Sequence, residues 1–413
     1  MIVLYLLLAI LVFGFLIFIH ELGHFLMARA CKVTVNEFSI GLGPKIVSFC
    51  PGKKRAEKKK RRLMEEAVTE SAAEEEENEF AVDPRPPKPI ASAEETVSEN
   101  PSDDEAPDEP VYTTYSLRAL PSGGFVSMEG ENEDSDDPNA YHKKKGWQKM
   151  LILVAGATMN LLLGFVLMFV LVSNSVFTTT AVWYNHEGEN ADTVYISESY
   201  LQNKDEIVKI GNTRVHTGYE VSYEIMYQGY QPIDITVRRD GKEIVIEDVI
   251  FPTIEEDGTV LGEQDFGFYA YAKEDVTFGD RISATFWRCC STVKMVWDSL
   301  GGLITGRFGV QSVSGPVGVT EVIVDAAKTN WIQLLYIVIV ITINLGVMNL
   351  LPLPALDGGQ FVICGIEMII RRPFPERVKG IINFVGLALL MLLMLVITFK
   401  DIVALIGRLF HIG

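Results

Sequence analysis

The chain has 413 residues, enough for more than one folded module. An apolar fraction of 48% and a positive mean hydropathy stand beside a net charge of −18, which excludes an ordinary soluble globule unless the two properties are segregated along the chain. The only strongly basic run lacks interleaved aromatic residues and is followed by acid, so nothing here suggests nucleic-acid binding.

Four apolar runs, about Ile2–Ala28, Met150–Val172, Trp331–Leu351 and Ile381–Phe399, are each near the length that crosses a bilayer. No Lys or Arg precedes the first, and it is too long for a secretory signal core, so it is expected to be a retained span. Within it lies His20-Glu21-Leu22-Gly23-His24. On a helix this spacing sets two imidazoles one turn apart on one face, able to grip zinc, with a carboxylate beside them as general base. Ionisable groups in a span are costly and mark function by default.

Past the first span, Val35–Pro44 and Tyr112–Met128 have strand character, the second carrying Leu120-Pro-Ser-Gly-Gly-Phe-Val126. They read as halves of one hairpin sheet interrupted by an insertion. Residues 53–62 hold eight Lys or Arg, and residues 63–110 hold seventeen acids against two basic residues. The acidic part is expected to be disordered, because it has too little apolar surface to offset its ordering entropy. The basic block is a topology anchor or a contact for anionic lipid. In the second span Gly156, Asn160 and Gly164 recur at i, i+4 and i+8, a spacing that predicts close helix packing.

From about Thr178 the pattern becomes that of a compact α/β domain. Ile207–Ile210, Ile233–Val237 and Ile244–Ile246 read as strands, Asp240-Gly241 as a hairpin turn, and Tyr219–Gln228 as a short helix. Asp280–Leu303 spaces its apolar residues as a helix does, either lying in the membrane interface or packed on the membrane core. The third apolar run ends in Asn349-Leu-Leu-Pro-Leu-Pro-Ala-Leu-Asp357-Gly358-Gly359, where prolines break the helix and glycines allow close backbone approach. The five cysteines, at 31, 50, 289, 290 and 364, form no metal or disulfide framework and are read as apolar residues. Lys and Arg concentrate beside the loops after the first and third spans, which places those loops in the cytoplasm and both termini outside.

The pairing of the His-Glu-x-x-His with the Asn349–Gly359 string resembles the site-2 protease family of intramembrane zinc metalloproteases, in the single-PDZ bacterial branch. Gly41-Leu-Gly-Pro44, Leu120–Val126 and Ser314-Gly-Pro-Val-Gly318 also look like family features. The resemblance implies that His20, His24 and Asp357 bind Zn2+, that Glu21 is the catalytic base and that Asn349 lies along the substrate. It implies a PDZ-like domain over 178–272, although Lys204 stands where relatives carry Gly before Asp205. The substrates implied are single-span membrane proteins such as anti-sigma factors or signal-peptide remnants, already trimmed outside by another protease.

The expected fold class is therefore a polytopic α-helical membrane protein of four transmembrane helices, with a membrane-associated β-hairpin region and an inserted α/β PDZ-like domain. The expected segments are 1–30, first span; 31–149, cytoplasmic loop with β pieces at 35–49 and 112–130 and the charged insertion 53–110; 150–173, second span; 178–272, external domain; 279–330, amphipathic helix and linker; 331–359, third span; and 381–399, fourth span. The expected location is a bacterial cell membrane, with the active site toward the cytoplasm. A scaffold with a structural metal is disfavoured, since such sites are normally closed by four ligands and leave Glu21 without a purpose. A metal transporter lacks acids or histidines in the second and fourth spans to form a path.

Overall fold

The computed structural model describes residues 2–51, 112–131, 135–187, 193–256, 258–271 and 275–410. The expectations for the charged insertion 53–110, including lipid contact by 53–62, fall outside the described residues. The chain divides into two compact units, residues 28–144 and residues 1–27 together with 145–413.

The smaller unit is built on two long strands, β1 (Val35–Phe49) and β2 (Thr114–Met128). Each bends, so they pair with one another more than once. Val35 faces Met128 and Ile40 faces Gly124, while Ile40 also faces Leu117 and Phe49 faces Tyr115. The bend in β1 falls at Gly41 and Gly43, whose φ values of 88° and 83° are accessible to glycine without strain. Glu37 ties the sheet together by accepting hydrogen bonds from Ser116, Lys45 and Arg118. Burial raises its carboxyl, but those donors outweigh burial and hold it at about 2.

Among the described residues, four helices are long and apolar enough to cross a membrane, with spans at Leu7–Ala30, Gly146–Asn174, Trp331–Asn349 and Arg377–Ala404. They belong to α1 (Ile2–Ala30), α2 (Gly146–Asn174), α6 (Trp331–Asn349) and α8 (Glu376–Phe410). Between α2 and α6 the chain forms a five-strand sheet path in the order β10-β3-β4-β6-β7, from β3 (Thr178–Trp183), β4 (Glu206–Ile210), β6 (Ile233–Arg239), β7 (Lys242–Val249) and β10 (Gly267–Ala270). The short β5 (Thr213–Arg214) pairs with β4, and β8 (Thr253–Glu256) pairs with β9 (Thr259–Gly262). Helix α3 (Gly218–Gln228) is capped by Thr217, whose side chain accepts from the Glu220 N–H. Its Val221 and Ile225 join Leu201, Ile207, Ile210, Ile235 and Val237 in one buried core. The β6–β7 hairpin turns at Asp240 and Gly241 with φ of 52° and 77°, the signature of a turn that favours Asp-Gly.

Helix α4 (Phe278–Thr305) starts at a capping box of Thr277 and Asp280. Of the two placements open from its spacing, it is packed on helices. Ala284 and Val296 share a core with Met168, Leu171 and Val172 of α2 and with Ile339, Ile343 and Val347 of α6. Lys294 on α4 reaches Glu224 on α3 at 2.9 Å and its own neighbour Asp298 at 2.7 Å, joining the α/β domain to this core.

Three features depart from the linear pattern. The stretch after α4 holds a second helix, α5 (Pro316–Thr329), in place of a plain linker. Helix α6 stops at Asn349, and Asp357 opens a separate helix, α7 (Asp357–Ile370), because Pro352 and Pro354 cannot continue the hydrogen-bond ladder. The fourth span runs past Phe399 and so contains an acid, Asp401. Its Oδ2 accepts the N–H groups of Gly315 and Gly318, each at 2.9 Å, and thereby caps α5. That carboxylate acts as a structural cap.

Candidate metal centre

The centre is assembled from α1, α2, α6 and α7. His20 and His24 are one turn apart on α1, and both are buried. Gly23 lies on the same turn, where a Cβ would stand 2.3 Å from the Ala155 carbonyl oxygen, so α1 and α2 approach backbone to backbone. Asp357 arrives as the first residue of α7. The preceding loop folds so closely that a Cβ on Gly358 would fall 2.3 Å from the Leu351 carbonyl oxygen, which explains the glycine after the acid.

The three side chains converge. Asp357 Oδ2 is 3.1 Å from His20 Nε2 and 3.2 Å from His24 Nε2, and the two Nε2 atoms are 3.3 Å apart. Neither approach to the carboxylate has hydrogen-bond geometry, and Oδ2 is buried with no hydrogen-bond partner. Such an orphaned acceptor facing two ring nitrogens is costly unless a cation completes it. His24 Nδ1 lies 2.8 Å from the carbonyl oxygen of Ile152, which can only accept. Nδ1 therefore carries the proton, and Nε2 presents its lone pair to the shared space. This donor set, two imidazoles and a carboxylate, fits zinc.

His20 is held from α2. Its Nδ1 is 3.3 Å from the side-chain amide of fully buried Asn160, whose Oδ1 has no partner as placed. Turning that amide over gives Nδ1–H an acceptor and satisfies the orphaned oxygen, leaving Nε2 of His20 as a second lone pair in the same space. Gly156 is equally committed, because a Cβ there would meet His24 Nε2 at 2.3 Å and His20 Cε1 at 2.8 Å. By spacing alone Gly156 and Asn160 read as part of a packing stripe with Gly164. Gly164 packs against Ile343 of α6, and Gly156 packs against α1, where the atoms it meets are those of the two histidine rings. The signal available in sequence was the polar Asn in an otherwise apolar span.

Asn349, the last residue of α6, comes within 3.5 Å of His20 Nε2 through its amide nitrogen. Glu21 follows His20 directly and is half-buried. The structure thus brings His20, His24, Asp357 and Asn349 to this one place, and Glu21 lies close enough to feel the charges of His20, His24 and Asp357.

The profile of peptidase family M50 matches residues 8–82 and 110–393 of the chain. A Clostridium acetobutylicum protein is 31% identical over 396 residues, 96% of each chain. The regulator of sigma-W protease RasP of Bacillus subtilis is 30% identical over 422 residues, covering 95% of this chain and 97% of its own. The zinc metalloprotease RasP of Bacillus licheniformis is 29% identical over 419 residues, with the same coverage. The chain belongs to peptidase family M50, the site-2 proteases, and is a membrane zinc metalloprotease.

Proposed function

We propose that this protease cleaves the membrane-spanning segments of single-span proteins, with His20, His24 and Asp357 as the zinc ligands and Glu21 as the general base. The observation that carries the assignment is the convergence of three lone-pair atoms, one of them an orphaned carboxylate oxygen, from His20, His24 and Asp357. Zinc held there supplies Lewis acidity for peptide-bond hydrolysis. Glu21 takes the proton of the attacking water and delivers it to the leaving amine. The Ile152 carbonyl and Asn160 fix the two imidazoles, so no side-chain rearrangement is needed when substrate arrives. Asn349, beside His20, hydrogen-bonds the backbone of a substrate helix that has unwound locally.

The test is Glu21→Gln in the purified full-length protein. Zinc should stay near one per chain while cleavage of a single-span substrate falls by at least a hundredfold. More than a few per cent of the wild-type rate in that variant removes Glu21 from the role of base. Alanine at His20, His24 or Asp357 should lose metal and activity together. Asn349→Ala should slow cleavage with zinc and melting midpoint unchanged, whereas a fall in the midpoint would mean that Asn349 only caps its own helix.

The α/β domain over 178–272 is assigned as PDZ-like, and its place is outside the cell, where it admits only substrates already trimmed by another protease. The packing of α3 against a sheet whose described path ends at β10 supports that reading. With both termini outside, the catalytic ends of α1 and α6 lie toward the cytoplasm. The Lys and Arg distribution supports this orientation. In a cysteine-free background, Glu187→Cys should react with an impermeant thiol reagent on intact cells and Ser135→Cys only after permeabilisation. The reverse labelling pattern inverts the topology.

A further inference from the structure

Of the three side chains that converge at the metal centre, Asp357 alone is carried there by a loop, since both histidines lie within α1. That loop folds back on itself. The Leu353 N–H donates to the Leu351 carbonyl at 2.7 Å and the Leu356 N–H to the Leu353 carbonyl at 3.2 Å. In this turn Ala355 adopts φ of 70°, in the left-handed region that glycine enters freely and alanine does not. A strained residue beside a functional site persists only where its surroundings hold it. Helix α7 holds the turn from one side: a Cβ on Gly359 would overlap the Leu353 carbonyl oxygen and stand 3.2 Å from Pro354 Cα. Helix α8 holds it from the other. Gly386 is buried, and a Cβ there would overlap Pro354 Cβ and stand 2.9 Å from the Pro354 carbonyl carbon and oxygen.

The rest of α8 shows how particular this contact is. Phe384, Val385, Leu387 and Leu389, on either side of Gly386, are all exposed, so the helix meets the loop along a narrow line and at a position without a side chain. Gly380, on the same helix, has nothing within 4 Å of a Cβ. Two polar contacts fix the line of α8 on either side of Gly386. Glu367 of α7 accepts from the Phe374 N–H at 2.8 Å and pairs with Lys379 at 2.8 Å, which ties the start of α8 to α7. Toward its other end, Asp401 caps α5. We propose that Gly386 is a positioning residue of the metal centre. It lets the fourth span press on Pro354, which keeps the Ala355 turn closed and Asp357 Oδ2 beside the two Nε2 atoms. This rests on the reading of Asp357 as a zinc ligand. The fourth span thereby acts on the metal through the loop and not through a ligand of its own.

The experiment uses the full-length protein in phosphatidylcholine nanodiscs and reads zinc affinity by chelator competition, the visible bands of the Co2+-substituted protein, and the melting midpoint. Gly386→Ala should weaken zinc at least about tenfold and shift the Co2+ bands, which report the ligands around the metal. Gly380→Ala should change neither. Adding Ala355→Gly to Gly386→Ala should recover at least about threefold of the lost affinity, because a glycine turn stays closed without a clamp. Lys379→Met loosens the start of α8 and adds no atom near Pro354. It should weaken zinc about threefold, and it decides the question if Gly386→Ala does not fold. A lower midpoint in Gly386→Ala with zinc affinity and Co2+ bands at wild-type level means that the contact only holds the helices together, and overturns the proposal. Failure of Ala355→Gly to recover any affinity also overturns it. Asp357→Ala, measured in parallel, separates this proposal from the reading beneath it. Wild-type affinity and bands in Asp357→Ala remove the ligand reading and this proposal with it, whereas loss there beside unchanged Gly386→Ala removes this proposal alone.

Discussion

The metal centre and the α/β domain belong to one unit of the chain, yet they tolerate change in opposite ways. In the metal centre a few atoms from α1, α2, α6 and α7 meet with no slack, and a single methyl group at Gly156 would overlap His24 Nε2. In the domain many apolar side chains share one core, and Gly241 at the hairpin tip has nothing within 4 Å of a Cβ. A site that must hold lone pairs a few tenths of an ångström from their working positions excludes atoms. A domain that must only stay folded spreads its stability over many contacts.

The sharpest way to break this comparison is to make the same substitution at both glycines. Gly156→Ala should abolish bound zinc and cleavage, because the new Cβ occupies the space of the His24 ring. Gly241→Ala should cost the domain about 1 kcal/mol, from the left-handed backbone alone, and leave zinc content at wild-type level. Zinc by mass spectrometry and melting of each variant decide it; full zinc in Gly156→Ala would show that α2 can move away from α1 at little cost.

Within the domain the most consequential polar contact is Asp205, which is 1% exposed and accepts from Arg239 at 2.7 and 2.6 Å and from the Gln202 N–H at 2.8 Å. Asp205→Ala should destabilise the domain by about 3 kcal/mol, seen as faster limited proteolysis between β3 and β10. Zinc content is expected to hold, and its loss would mean that the domain and the metal centre unfold together.

A smaller effect is expected at Asn160. Asn160→Leu should weaken zinc binding about tenfold to a hundredfold in chelator competition, whereas Asn160→Asp, which still accepts from His20 Nδ1–H, should keep most of the affinity. Equal loss in both variants would point to packing instead of orientation of the ring. The smallest effect lies at Lys204, which adopts φ of 74° directly before Asp205. Lys204→Gly should stabilise the domain by about 0.5–1 kcal/mol, because a non-glycine residue in that conformation is strained. An unchanged or lower midpoint would show that the lysine contributes contacts that offset the strain.

Much of the architecture is legible in the linear pattern because it depends on local rules. Apolar run length marks the membrane helices, Asp240-Gly241 marks the hairpin, and a His-Glu-x-x-His on a helix must set His20 and His24 one turn apart. Asp357 becomes a candidate only when it is paired with the His-Glu-x-x-His in the same membrane half and through the family that the pair resembles, since nothing local ties it to a histidine more than three hundred residues away.

What only the tertiary structure decided are the meetings between elements. Helical spacing gives the face on which Gly156 and Asn160 lie but not what that face meets. Helix crossing puts both against the histidines of α1. In the same way Asp401, at the end of an apolar helix, becomes the cap of α5 only because the fold carries the N-terminus of α5 to it. Periodicity is a property of one element, whereas a buried polar group is settled by whichever partner the packing of two elements brings within hydrogen-bond reach.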